Sequence, residues 1–278
     1  MSSVLFEEPG PKTRVRHRVF AVLGSIAVAA FLGLVIWKLW VEGTITPDRW
    51  TFLTPSIIWA LFEALLVTLF AAAVAILLSM LFGLIFAAGR LSKISIVRIP
   101  CIAVIEFFRA VPLLLLISFI FLVYGYLLGA FGALVISLML YNGSVLAEVF
   151  RAGVQAVPKG QAEAGYAIGM SRGQVLRQIQ LPQAFRTMLP AIISQCVVAL
   201  KDTALGFTIG YAGIVREGQS IYGSPLYNNP IAVGIVLAAV FIAINYSLSR
   251  LAVYLEGRQR AKMEADVTIA KTDANTGA

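Results

Sequence analysis

At 278 residues, 59% of them apolar and only 13% charged, the chain lies well outside the composition of water-soluble domains. A net charge of +8 would suggest nucleic acid in a soluble protein, but the basic residues gather at the ends of apolar runs, which points to a membrane instead. Two cysteines without Cys-x-x-Cys spacing, Cys101 and Cys196, and a single histidine, His17, argue against a metal centre or a Cys–His nucleophile.

Six apolar runs are long enough to cross the ~30 Å hydrocarbon core of a bilayer: 19–40, 57–88, 99–128, 131–157, 184–211 and 231–255. They predict an all-α, polytopic membrane helix bundle, with a basic tail (1–18), an N-terminal helix and external loop (19–56), a core (57–256) and a C-terminal tail (257–278). The first run follows a basic segment and contains Ala27-Val28-Ala29, the elements of a signal peptide. Its apolar character continues without interruption through Phe31 to Trp40, so an uncleaved spanning helix is expected. The second run would reach about 48 Å as a helix and must tilt or project beyond the bilayer. An alternating topology places 17 of the 22 Lys and Arg on one side. The positive-inside rule then puts both termini in the cytoplasm of a plasma-membrane protein.

Charges inside apolar runs are costly and mark partners or paths. Glu106-Phe-Phe-Arg109 and Glu148-Val-Phe-Arg151 repeat one pattern, each pair sharing a helix face. On antiparallel neighbouring helices Glu148 would come level with Arg109 and Glu106 with Arg151, giving a four-member charge cluster. Such a cluster either pins the helices together or, through Arg109 or Glu148, also handles a zwitterionic substrate. Pro112 should kink the third helix near Val111. Lys201-Asp202-Thr203 lies well along the fifth helix. Lys201 either meets an anionic group on a substrate or snorkels and pairs elsewhere. Gly206-x-x-x-Gly210 suits a close helix contact between subunits.

Between the fourth and fifth runs lies a polar, basic, helix-forming segment, on the cytoplasmic side by charge counting and within reach of a soluble partner. Val157-Pro158 should end the fourth helix, and Glu163 should fall in the first turn of a short one, where the dipole favours a carboxylate. Gly165, Gly169 and Gly173 recur every four residues, predicting a face nearly bare of side chains that another surface approaches. A turn at 171–173 and a segment leading to Pro182 complete it. The chain contains no phosphate-binding Gly-x-x-x-x-Gly-Lys-Ser/Thr, so any ATP is bound by another subunit.

Glu163-Ala164-Gly165, three residues, Gly169, nine residues, then Ile179-Gln-Leu181-Pro182 resembles the EAA motif by which permease subunits of bacterial ABC importers dock onto their ATPases. It departs from that pattern in having Gly165 where the second Ala would stand. From Leu61 to about Leu255 the chain resembles permease subunits of polar amino-acid ABC importers, which have a type I permease fold with a five-helix core. Thr68, Phe107-Phe108-Arg109-Ala-Val-Pro112, Ala147-Glu148-Val-Phe-Arg151, Val157-Pro158 and Lys201-Asp202-Thr203 carry that resemblance. The family more often has Arg-Gly-Thr-Pro at 109–112. The added first helix and the Pro9-Gly-Pro-Lys12 tail are similar to the second permease of Gram-positive glutamate importers.

The resemblance implies a non-enzymatic transport subunit that binds no cofactor itself, ATP and Mg being held by a partner ATPase dimer. It implies a second permease subunit, with a heterodimer favoured over a homodimer. It also implies an extracytoplasmic binding protein that delivers a polar amino acid, glutamate or a close relative, to the loops around 44–49 and 216–229. The coupling loop would be 158–183, with Glu163, Ala164, Gly165, Gly169, Ile179, Leu181 and Pro182. The candidate substrate path is Arg109, Glu148, Lys201, Asp202 and Thr203. Closure of the ATPases would push on the loop and drive alternating access. A proton-coupled secondary transporter using the Glu106–Arg109–Glu148–Arg151 cluster is the rival reading. A non-transporting scaffold would gain nothing from intramembrane charges.

Overall fold

The computed structural model describes residues 10–225, 227, 229–250 and 253–254. The C-terminal tail 257–278, with Arg258, Arg260, Lys262 and Lys271, lies outside the described residues. So do residues 1–9 of the basic tail, Asn228 of the 216–229 loop and the end of the last run at Leu255.

Helix α1 (Pro11–Val41) starts on Pro11, whose missing N–H costs nothing in a first helical turn, and runs unbroken through Ala27–Ala29. Its side chains are exposed along nearly the whole length, so lipid or another chain has to cover them. Helix α2 (Pro55–Arg90) opens with Thr54, whose side chain accepts from the Ile57 N–H. At 36 residues it is about 54 Å long.

The buried face of α2 carries small residues at helical spacing, among them Ala64, Thr68, Ala71, Ala75, Ser79, Gly83 and Ala87. They admit a neighbouring backbone. A Cβ on Gly83 would lie 2.9 Å from the Leu146 Cβ and 3.1 Å from the Gly143 carbonyl oxygen. One on Gly143 would lie 3.1 Å from the Ser79 carbonyl oxygen. Close approach through small residues is how helices associate where lipid removes the hydrophobic driving force.

The run 99–128 is not the single kinked helix expected. Helix α3 (Ser95–Ala110) stops, Val111 and Pro112 are extended with ψ of 127° and 128°, and α4 (Leu113–Ala156) begins afresh. Pro112 explains the break, because it donates no hydrogen bond and pushes Val111 out of helical conformation. Helix α4 is two legs. At Gly129 the backbone has φ 62° and ψ 180°, outside any helix. Leu116 and Leu140 would be about 36 Å apart on a straight helix, yet they line one cavity. Ile105 packs with Leu146 and Ala147, whereas Leu116–Ile120 packs with Ala133–Leu138. Leg 130–156 therefore runs antiparallel to α3 and leg 113–128. Space around Gly129 is open, so a side chain there would meet only backbone strain. Gly129→Ala is expected to cost about 1–3 kcal/mol, read as a lower midpoint of thermal unfolding in detergent.

After the coupling segment, α7 (Leu181–Asp202) gives way to a 3-10 stretch, Thr203–Ile209, then α8 (Ile214–Gly223) and α9 (Pro230–Arg250). Lys201 and Asp202 thus occupy the last turn of α7 rather than a mid-helix position. Gly206 and Gly210 do not form an α-helical contact face, because three residues per turn place positions i and i+4 on different sides. A Cβ on Gly206 would lie 2.7 Å from the Leu134 Cδ2 of the same chain, and Gly210, with φ 75°, ends the 3-10 stretch.

Among the described residues five helices are long and apolar enough to cross a membrane, α4 counted once. With α4 folded back, α1, α2, α3 plus the first leg of α4, its second leg, α7 and α9 make six passages, five of them in the core. Outside the coupling-loop end, Phe52, Leu61, Ile214, Ile221 and Val233 form a cluster. There Thr68 Oγ1 accepts from the Ile214 N–H at 2.9 Å. Asn229 Nδ2 donates to the Thr44 carbonyl at 3.2 Å, joining the two loops expected to receive cargo.

Candidate functional site

The segment expected to couple begins where Val157 and Pro158 hold the chain extended and let α5 (Lys159–Ala167) start. Glu163 is its fifth residue, in the second turn rather than the first, because the helix opens on Lys159. Helix α5 ends in a Schellman motif. Met170 N–H donates to the Gly165 carbonyl at 3.1 Å and Gly169 N–H to that of Tyr166 at 3.0 Å. Gly169 takes φ 84°, the left-handed conformation this motif asks of glycine.

The three spaced glycines do not make a bare docking face. Gly165 is buried, and a Cβ there would lie 2.7 Å from Ile179 Cδ1 and 2.9 Å from Val175 Cγ2. Gly169 caps, and Gly173 faces open space. The surface that approaches α5 belongs to the same chain. It is the wide π-helical turn Val175–Gln180, entered through α6 (Arg172–Gln174) with Ser171 and Gln174 in a capping box. This turn lies directly before Pro182, which cannot donate to the helical ladder. Glu163 and Ala164 are exposed, as are two residues that motif matching passed over, Tyr166 and Ile168, the latter at 79%. An apolar side chain so exposed on a loop tip was the available signal.

In the membrane-embedded part, the charges of α3 and α4 meet around a residue counted in the sequence only as a basic flank. Arg90 Nη1 lies 3.0 Å from Glu106 Oε1 and 2.8 Å from Glu148 Oε1, linking α2, α3 and α4. Arg151 binds Glu148 Oε2 through Nε at 3.1 Å and Nη2 at 3.0 Å, and also donates to Gln155. The cross pairs expected, Glu148 with Arg109 and Glu106 with Arg151, are absent from these contacts. Arg90 is shorter in reach to both carboxylates because α2 lies against both helices. Among the described residues Arg109 forms an ion pair only with Glu106, at 3.8 Å, and stays 39% exposed.

Lys201 forms no ion pair within 4.0 Å among the described residues. It lines a cavity of about 460 Å³ with Asn245, Tyr246 and Ser249 of α9. Asn245 donates to the Phe241 carbonyl at 2.7 Å, and its buried Oδ1 has no partner among the described residues. Asn245 is the one amide in the last apolar run, a polar residue the sequence reading left unremarked. Asp202 lies beside the fully buried Asn142, whose Oδ1 accepts from Gln195 at 2.5 Å. Thr203 is buried and donates to the Leu200 carbonyl at 2.6 Å. No ion pair joins this group to Arg109 or Glu148 among the described residues.

Residues 79–261 match the family model described as binding-protein-dependent transport system inner membrane component. The glutamate transport system permease protein GluD of Corynebacterium glutamicum is 40% identical over 238 residues, covering 83% of this chain and 86% of that one. The probable glutamine ABC transporter permease protein GlnP of Bacillus subtilis is 37% identical over 205 residues, 72% of this chain and 93% of that one. A crystal structure of an amino acid ABC transporter with histidines superposes with a TM-score of 0.66 at 30% identity, covering 72% of this chain and 94% of that chain. Coverage of this kind, on a fold of five core passages, fixes the kinship: the chain belongs to the binding-protein-dependent transport system inner membrane components, as a multi-pass permease subunit of an ABC importer.

Proposed function

We propose that this permease carries polar amino acids, glutamate or a close relative among them, across the plasma membrane. The observation that supports this reading is Lys201, without an ion pair among the described residues, on the wall of a cavity that Asn245 also lines. A cation so placed suits the carboxylate of an amino acid, and Asp202 and Thr203 follow it directly in the chain. Arg109, loosely held, serves as a further station for an acidic side chain. Membership of the binding-protein-dependent inner membrane components supports a partner binding protein and an ATPase. In the proposed assembly, ATP and Mg sit on a separate ATPase dimer that engages Glu163, Ala164 and the rest of the loop 158–183. A second, non-identical permease completes the pathway, both termini lie in the cytoplasm, and residues 57–256 form the working core. A proton-coupled carrier is disfavoured, since Arg90, Arg109 and Arg151 together already neutralise Glu106 and Glu148.

The test is uptake of labelled amino acids into vesicles containing the permease pair, the ATPase and the binding protein. Lys201→Gln is expected to raise KM about tenfold, the loss of one charge-assisted contact, with a smaller change in kcat. Uptake that persists with a hydrolysis-dead ATPase would overturn the ATP-driven mechanism. Failure of every polar amino acid to enter would overturn the cargo.

A further inference from the structure

We propose that the coupling-loop ends of α2 and α4, together with α5, form a binding site for the phosphate headgroup of an anionic membrane lipid. A cavity of about 960 Å³ lies between the 91–94 turn, the end of α4, α5 and the π-helical turn. Lys93, Lys159 and Arg172 stand on its wall against a single carboxylate, Glu163. None of these four makes an ion pair among the described residues. This contrasts with Arg90, just before the cavity, which is fully engaged by two carboxylates. Lys159 is also the first residue of α5, so the positive end of that helix dipole lies on the rim.

The surroundings select the source of the anion. The deeper wall is apolar, with Val154 and Leu176. Next to the mouth, Ile94, Ile96 and Ile99 are 62%, 84% and 60% exposed along the start of α3. A free phosphate would satisfy the three cations and leave this strip uncovered. A phospholipid places its phosphate among the cations and its acyl chains along the isoleucines, as basic pockets at membrane surfaces do. The site sits against the coupling segment, so its occupant would help hold α5 on the bilayer.

The site is tested on the assembled transporter in nanodiscs of equal parts phosphatidylglycerol and phosphatidylcholine, by native mass spectrometry of co-retained lipid. Wild type is expected to retain phosphatidylglycerol over phosphatidylcholine by about tenfold, from a local excess of two positive charges. The variant Lys93→Gln/Lys159→Gln/Arg172→Gln should fall to parity. A charge-matched control, Lys12→Gln/Arg16→Gln/Arg18→Gln, should retain the preference. Should the triple variant fail to assemble, Lys93→Gln alone, outside the coupling helix, should lower the preference about threefold. Equal loss in the control, or no loss in either variant, overturns the site. Displacement of the lipid by millimolar inorganic phosphate overturns the lipid and assigns the cavity to a free anion. Retention that appears only after the ATPase is stripped away also overturns it, since the ATPase would then be the occupant. The readout is lipid retention, so it stands or falls separately from the identity of the cargo.

Discussion

Arg90→Ala is expected to destabilise the folded chain by about 1–3 kcal/mol, the cost of leaving the largely buried Glu148 with one of its two cationic partners. Glu148 is only 17% exposed, and Arg90 meets one of its oxygens while Arg151 holds the other. Removing Arg90 would leave Glu148 Oε1 with no cation and detach Glu106 from α2. Thermal unfolding in detergent reads the effect directly. The double variant Arg90→Met/Glu148→Gln should not recover the loss, because it takes from Arg151 the carboxylate that it binds. A midpoint for Arg90→Ala within about 1 °C of wild type, well below the shift of 2–4 °C per kcal/mol expected at this chain size, would show that the network is a loose surface feature. Arg109→Ala should cost far less, since its one contact is long and partly exposed.

Gly165→Leu is expected to abolish uptake, to below one-tenth of wild type, while the chain still accumulates in the membrane. The position is buried, and even a methyl there already crowds Ile179 and Val175. An isobutyl group must lift α5 from the π-helical turn and displace the exposed face bearing Glu163. Overpacking of this kind costs about 1–3 kcal/mol locally, enough to move a short helix but not to unfold a bundle. Gly165→Ala is the informative comparison. Both crowding atoms are the ends of side chains, and alanine is the better helix former by about 1 kcal/mol, so this variant should keep most of its activity. Uptake and permease-dependent ATP hydrolysis measured together separate the outcomes. If Gly165→Leu transports normally, the packing of α5 on the turn has no part in coupling.

The passages of the bundle were legible because apolar length is a direct physical requirement of the bilayer. The turn between the third and fourth runs could also be read, Gly129 standing between them. What the sequence did not reveal were contacts set by tertiary approach. Arg90 reads as one more positive-inside residue until α2 is seen against α3 and α4, and only then does it outcompete Arg109 for Glu148. The helical spacing of Gly165, Gly169 and Gly173 suggested one face, but a Schellman ending at Gly169 stops α5 before that face can form. Gly206 and Gly210 were misjudged for a similar reason, a change of helix type that apolar periodicity does not report. Asn245 was passed over because a single amide in an apolar run has no spacing to read.

The length of α2 carries a mechanical consequence. Its inner end is held by Arg90 to α3 and α4, and further out Thr68 is tied to the start of α8. Gly83 and Gly143 are in near backbone contact about 10 Å from the Arg90 end of the helix, and that contact is a natural fulcrum. A rod of about 54 Å turning by about 10° around that point would shift its Arg90 end by about 2 Å and its far end by about 7 Å in the opposite direction. One helix would thus convert a small angular stroke at the coupling end into an oppositely directed displacement at the mouth, without any joint bending between them.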